Sequence, residues 1–364
     1  NCTAKGSLTF HFDEAGTQQG KTFKCADIPN GIEQLVTVDV WVTDLAGNKD
    51  YCRTYILIQD GSGNICADKA SSAASIAGRI ITETKEAVEK VTLNITSTVN
   101  MAPYQTDNNG GYAFKNLPLS QDYTITPKRD DDPVNGVSTI DLVLIQKHIL
   151  GTQALTSPYK MIAADVDRNN DITAIDLVEL RKLILTIYDK LPSNTSWRFI
   201  PKSYDFTKSS TVLSVNIPEH LNISQLSKEE IEKDFIGVKI GDVNSSSAPH
   251  SLLGAEARES AGTLKLKVED KVLKAGEEAI VSFTSENFNK VEGYQFSMQV
   301  SGLSLLDIKS GALKVDASNF GLSKLNQGYI TTSWSDGTNP VTVSKGESLF
   351  SIKVKATKNM TLSE

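Results

Sequence analysis

Apolar and polar residues alternate with period two through most of the chain, the signature of strands with one face buried. Near the start the pattern is Ser7-Leu8-Thr9-Phe10-His11-Phe12, then Leu35-Val36-Thr37-Val38-Asp39-Val40-Trp41-Val42, then Tyr55-Ile56-Leu57-Ile58. Pro29-Asn30-Gly31 and Ala46-Gly47-Asn48 punctuate these runs as turns. After an Ala/Ser-rich joint, Ile76-Ala77-Gly78-Arg79-Ile80-Ile81, Val91-Thr92-Leu93-Asn94-Ile95, Tyr112-Ala113-Phe114 and Tyr123-Thr124-Ile125-Thr126 predict a second β unit. A third begins past Thr263, with Leu264-Lys265-Leu266-Lys267-Val268, Ala279-Ile280-Val281-Ser282-Phe283, Tyr294-Gln295-Phe296-Ser297-Met298, Ile330-Thr331-Thr332-Ser333-Trp334 and Leu349-Phe350-Ser351-Ile352. Residues 190–246 show no clear period, with Trp197, Phe199 and Tyr204 to pack.

Residues 130–187 break the pattern. Leu177, Leu180, Ile184 and Ile187 fall on one helical stripe, and Leu142, Ile145 and Ile149 form its counterpart. The segment is also duplicated. At an offset of 35 residues, 130–150 falls on 165–185 with ten of 21 positions identical, from Asp130/Asp165 and Asp132/Asp167 to Ile149/Ile184 and Leu150/Leu185. Two copies of one supersecondary unit are expected.

Each copy opens with an acidic loop. In the second, Asp165, Asp167, Asn169, Thr173 and Asp176 stand at loop positions 1, 3, 5, 9 and 12, and Asp171 at position 7 can offer its backbone carbonyl. Calcium takes six to eight hard oxygen ligands, and a twelve-residue loop wrapped around one ion supplies them at such intervals. Asn170 suits position 6, where positive φ is required. The apolar Ile172 at position 8 is placed to tie the loop to its twin. In the first copy the candidate ligands are Asp130, Asp132, Gly136, Ser138 and Asp141. Pro133 and Val134 leave its fifth position without a side-chain oxygen. Farther on, Ile240-Gly241-Asp242-Val243-Asn244 echoes the start of such a loop but runs into Ser245-Ser246-Ser247, and reads as a boundary segment.

The chain has 364 residues and a net charge of −7, which disfavours a nucleic-acid partner. It has no apolar run long enough for membrane insertion. The four cysteines, Cys2, Cys25, Cys52 and Cys66, cluster at one end, suggesting two disulfides and an oxidising compartment. Three pairings are open; Cys2–Cys25 and Cys52–Cys66 are favoured because each closes a local loop. The opening Asn1-Cys2, without an initiating Met or signal peptide, reads as a cut from a longer polypeptide. Residues 15–22 fit a loose phosphate-loop pattern, but no helix is expected after Lys21 to hold a phosphate. His11, His148, His220 and His250 are scattered and make no recognisable catalytic motif.

A calcium loop ending in Asp, followed by one helix and present twice, resembles the type I dockerin module. That resemblance implies one or two Ca2+ ions. It also implies a partner-binding face on the exposed helix surface, matched here by Thr139, Ile140, Gln146 and Lys147, then Ala174, Ile175, Arg181 and Lys182. Only Thr139 is the hydroxyl residue usual there, so a typical cellulosomal scaffold is not the expected partner. Trp41-Val42-Thr43-Asp44-Leu45-Ala46-Gly47-Asn48 with Cys52 resembles the immunoglobulin-like hyalin repeat. The strand order over 76–127 is similar to prealbumin-like, collagen-adhesin B-type spacers. Val268-Glu269-Asp270, Gly276-Glu277-Glu278, Gly293-Tyr294-Gln295-Phe296, Gly328-Tyr329-Ile330, Trp334, Gly346 and Leu349-Phe350 resemble a cohesin, the partner fold of dockerins. The whole layout is similar to modular secreted proteins of Bacteroidota.

These readings predict a multidomain, mainly β chain, with β-sandwiches flanking a small α-helical calcium-loop module. The expected modules are a disulfide-bearing immunoglobulin-like sandwich over 1–68, a prealbumin-like sandwich over 72–128, the dockerin-like unit with an irregular extension over 129–246, and a cohesin-like sandwich, read as truncated, over 260–364. The expected role is non-catalytic, structural or adhesive, and extracellular or on the cell surface. Assembly would run through dockerin–cohesin-like contacts with a protein partner, other copies of the chain among the candidates. The alternative is the non-catalytic portion or scaffold of a secreted polysaccharide-degrading system.

Overall fold

The computed structural model describes residues 8–28, 33–59, 73–98, 101–208, 212–213, 217–250, 264–337 and 339–362. It is mainly β, with three α-helices.

The first module is a sheet in the order β1 (Thr9–His11), β2 (Glu33–Thr43), β3 (Lys49–Gln59). β2 and β3 pair without interruption from Glu33↔Gln59 to Thr43↔Lys49. Their turn is held by the Asp44 carboxylate, which accepts from the backbone N–H groups of Ala46 and Asn48, and by Gly47 at φ +84°. Among the described residues this module is one three-stranded sheet; the second layer of the expected sandwich is not among them. Cys52 lies in β3 on the exposed side and carries a free thiol, so the expected Cys52–Cys66 bridge is not formed. Its neighbour across the ladder is Val40, and strand alternation turns its sulfur outward. Cys2 and Cys66 lie outside the described residues, and the expected Cys2–Cys25 bridge lies there with them. The Tyr55 hydroxyl, donating to the Tyr112 carbonyl at 2.7 Å, fastens β3 to the next module.

That module is larger than its sequence suggested. It contains β4 (Ala73–Ile81), β5 (Thr92–Thr96), β7 (Gly111–Pro118) and β8 (Tyr123–Lys128), as the alternation predicts, and a short β6 (Tyr104–Gln105) that it does not. The helices come next: α1 (Thr139–Ile149), α2 (Pro158–Ala164) and α3 (Ala174–Ile184). The chain then returns to the sandwich as β9 (Trp197–Pro201), β10 (Leu221–Ile223) and β11 (Phe235–Lys239). The two sheets run β10-β8-β5-β6 and β7-β4-β11-β9, so the helical unit is an insertion between β8 and β9. A cut at 128/129 does not separate two cores, and the segment expected to be irregular supplies three strands.

The reason is burial on both faces. Every residue of β9 and of β11 is buried, so neither strand alternates in polarity. Trp197, Phe199 and Phe235 point into the sandwich core with Tyr112, Leu93 and Ile125. Ile200 and Val238 point the other way, into a core shared with Leu142, Ile145, Leu180 and Leu183 of the helices. The result is three layers, sheet on sheet on helices. Ile149 and Ile187, expected on the helical stripe, are 37% and 44% exposed: Ile149 is the last residue of α1, and Ile187 lies beyond the end of α3.

The last module is a sandwich. One sheet runs β12 (Leu266–Lys267), β14 (Glu278–Ser285), β19 (Ser348–Ala356), β16 (Leu303–Ser310). The other runs β15 (Gly293–Gln299), β18 (Tyr329–Ser335), β17 (Phe320–Gly321). β13 (Val272–Leu273) pairs with β20 (Met360–Thr361). Its core holds Phe283 stacked on Phe350 at 4.5 Å, with Tyr294, Phe320 and Trp334.

Candidate metal centre

The loop between α2 and α3 folds around its own carboxylates. Asp176 at the third position of α3 completes a capping box with Thr173. Its Oδ2 accepts from the Thr173 N–H at 2.8 Å, and its Oδ1 from the N–H groups of Val166 at 2.7 Å and Asp167 at 3.1 Å. Asp165 accepts from the N–H groups of Asn169 and Asn170 at 3.0 and 3.2 Å. Arg168 and Asn170 take φ +60° and +68°, as the expected position-6 asparagine requires. Carboxylate oxygens of Asp165, Asp167 and Asp176 lie within 4.8 Å of one another. Asn169 stands beside them, its side chain on Asp167 Oδ2 at 3.0 Å. Asp171 is exposed; its contribution at position 7 would be its backbone carbonyl. Ile172 is partly buried against the helical core.

The first expected loop does not form in the same way. Asp130 is turned elsewhere: Oδ1 accepts from the Ser196 N–H at 2.9 Å and Oδ2 from Lys190 at 3.2 Å. Asp132 is exposed at φ +43°. Pro133 and Val134 sit in a tight turn, closed by Asn135 N–H to Asp132 O and Val137 N–H to Val134 O, rather than in a wrapping loop.

The missing half comes from the segment that follows β11, after the chain has returned through the sandwich. Asp141 Oδ1 accepts from the Val243 and Asn244 N–H groups at 2.9 and 3.2 Å, as Asp176 Oδ1 does from Val166 and Asp167. Asp141 Oδ2 accepts from the Ser138 N–H at 2.9 Å, as Asp176 does from Thr173. Asp242 accepts from the Ser246 and Ser247 N–H groups at 3.0 and 2.9 Å, as Asp165 does from Asn169 and Asn170. Ser245 takes φ +62°, matching Arg168. Asp242, Asn244 and Ser246 thus occupy positions 1, 3 and 5 of a loop whose positions 7, 9 and 12 are Gly136, Ser138 and Asp141.

The two halves are stitched where the chain is interrupted. The Asn135 side chain donates to Ala248 O at 2.8 Å and accepts from its N–H at 3.0 Å. Ser246 Oγ donates to Gly136 O at 3.0 Å, bringing the fifth and seventh positions together. Gly136 has φ +75°, and a Cβ there would lie 2.6 Å from the Ser247 backbone, so only glycine fits the seam. Residues 240–244, read from sequence as a boundary segment, are therefore part of a second, discontinuous loop. The signal was present in Asp242-Val243-Asn244, which matches Asp165-Val166-Asp167. It was hidden because the closing Asp141 precedes it by 102 residues.

Asp141, Asp165 and Asp176 are fully buried, and among the described residues none of them forms a salt bridge. Burial, then the charge of Asp242, pushes Asp141 up to about 7. Burial chiefly pushes Asp165 up to about 6, with Asp176 adding to it, and burial raises Asp176 as well. These sites want positive charge, and their hard oxygen donors suit calcium. Without an ion, the folded chain binds more protons than the unfolded one between the ordinary aspartate range and about pH 7. Ion-free stability should therefore fall as pH rises from 5 to 7.5. Saturating calcium should flatten or reverse that slope, because the ion competes with those protons. Melting curves at three pH values, with and without chelator, check both signs; a chelated protein whose stability climbs over that range contradicts them.

Of the expected partner-binding residues, Thr139, Gln146, Lys147 and Arg181 face the C-terminal sandwich. Ile140 and Ile175 are 46% and 55% exposed. Lys182 turns to Glu179 on its own helix and to Tyr188 beyond the helix end.

Residues 134–185 match the dockerin type I domain family. The match covers α1, the continuous loop and α3, and stops well before Asp242. No curated protein matches the chain. Among the described residues, no helix is long and apolar enough to cross a membrane.

Proposed function

We propose that this chain is a non-catalytic, extracellular assembly module, built from a dockerin-like unit that two calcium ions clamp onto a β-sandwich. The carrying observation is the cluster of Asp165, Asp167 and Asp176, whose carboxylate oxygens lie within 4.8 Å of one another, with Asp165 and Asp176 fully buried and, among the described residues, in no salt bridge. The first ion would be held by those three residues with Asn169 and the Asp171 carbonyl. The second would be held by Asp242, Asn244, Ser246 and Asp141 with the Gly136 carbonyl. Bound calcium supplies charge neutralisation and cross-linking of the loop. Its coordination by flexible oxygen ligands suits such loops better than the strict octahedron of magnesium.

The second ion would do more than order a loop. Its ligands come from α1 and from the segment after β11, so it would tie the first helix of the insertion to the chain leaving the sandwich. Cohesin-type sandwiches are the partners that the dockerin match supports. Calorimetric titration of the full chain with calcium, in a background of magnesium, tests the reading. Saturable calcium binding that magnesium does not abolish is expected; an absence of binding up to millimolar calcium sinks it.

A further inference from the structure

Four of the helix residues expected to meet a partner, Thr139, Gln146, Lys147 and Arg181, already meet the C-terminal sandwich, while Ile140 and Ile175 at the edge of that face stay exposed. Thr139, at the first position of α1, is 3% exposed. Its N–H donates to Gln295 Oε1 at 2.7 Å, and its hydroxyl lies 2.7 Å from Ser333 Oγ. Lys147 on the same helix pairs with Glu292 at 2.8 Å. On α3, Arg181 reaches Ser335 Oγ at 3.4 Å, and beyond the helix the Leu185 carbonyl accepts from Thr331 Oγ1 at 2.7 Å. The contacts come from both copies of the duplicated helix and fall on one sheet, β15-β18-β17.

The shapes match as well as the polar groups. A Cβ at Gly293 would lie 2.8 Å from the Thr139 methyl, one at Gly321 would lie 2.1 Å from Leu185 O, and one at Gly337 would lie 2.7 Å from the Gln146 amide. Three glycines of the sandwich therefore sit where the helices approach. The tightest is Gly321, where the obstacle is the Leu185 backbone, so a side chain there would hold the end of α3 off the sheet.

We infer that the C-terminal sandwich is the chain's own ligand for the α1/α3 face, docked in cis, so that an external partner sandwich must displace it to bind. This rests on the assembly reading above for the identity of the face. The contact is also coupled to the discontinuous loop, since Thr139 lies between Ser138 and Asp141.

The test is a paired substitution, Thr139→Cys with Ser333→Cys, in the full chain carrying Cys52→Ser. Under mild oxidation in calcium, most chains should form an intrachain 139–333 disulfide and remain monomeric. Disulfide-linked dimers as the main product would place the contact between chains and overturn the inference. Charge reversal guards against a pair that fails for local reasons: Lys147→Glu should enlarge the radius of gyration, and adding Glu292→Lys should restore it. No intrachain bridge together with an unchanged radius in Lys147→Glu overturns the inference too. Calcium binding without the cis bridge would leave the assembly reading standing, whereas the bridge without calcium binding would leave only the docking.

Discussion

Chelating both calcium ions should lower the melting temperature of the 73–250 unit by roughly 20 °C. An ion that binds only the folded loop stabilises by about 4 kcal/mol when its free concentration is roughly a thousand times its dissociation constant. In a unit of this size each kcal/mol moves the midpoint by about 2–4 °C. The loss should be larger than for a surface calcium loop, because the discontinuous site joins segments 102 residues apart. Once it is vacated, Asp141 and Asp242 face each other with mutual repulsion, which is among the causes raising Asp141. Asp165→Ala with Asp176→Ala should halve the calcium response rather than abolish it, since the second site remains. Differential scanning calorimetry of the full chain reads both effects. A midpoint indifferent to chelator would contradict the calcium reading outright.

The second large effect is on stoichiometry. Asp242→Ala should reduce the number of bound ions from two to one, although it lies outside the dockerin-matched segment 134–185. Asp130→Ala and Asp132→Ala should leave two, because Asp130 is committed to Ser196 and Lys190 and Asp132 is exposed. Ion counting by equilibrium dialysis separates the alternatives. Retention of two ions in Asp242→Ala, or loss of one in Asp132→Ala, would restore the contiguous first loop. Gly136 offers a related check on the seam, since a side chain there meets the Ser247 backbone.

Local pattern made most of this structure legible. Period-two alternation found β2, β3, β14, β15 and β19, and in β14 it coincides with alternating burial. The spacing of acids and the offset repeat found the continuous loop and both long helices, because every ligand there lies within twelve residues. What was hidden shares one cause. β9 and β11 are sandwiched between two layers, so Trp197-Arg198-Phe199-Ile200-Pro201 and Phe235-Ile236-Gly237-Val238-Lys239 carry no alternation to read. The discontinuous loop is made by the return of β11 to the helices, a long-range fact that no local window contains. Cys52 misled for the opposite reason. Its loop to Cys66 is short enough to close, but strand pairing fixes its side chain on the outer face of β3.

The most direct measurement is a crystal structure of the full chain grown with calcium and phased with anomalous data. Two anomalous peaks are expected, one among Asp165, Asp167, Asn169 and Asp176, the other among Asp141, Asp242, Asn244 and Ser246. A second peak beside Asp130 and Asp132, or none near Asp242, would contradict the split site that joins α1 to the segment after β11.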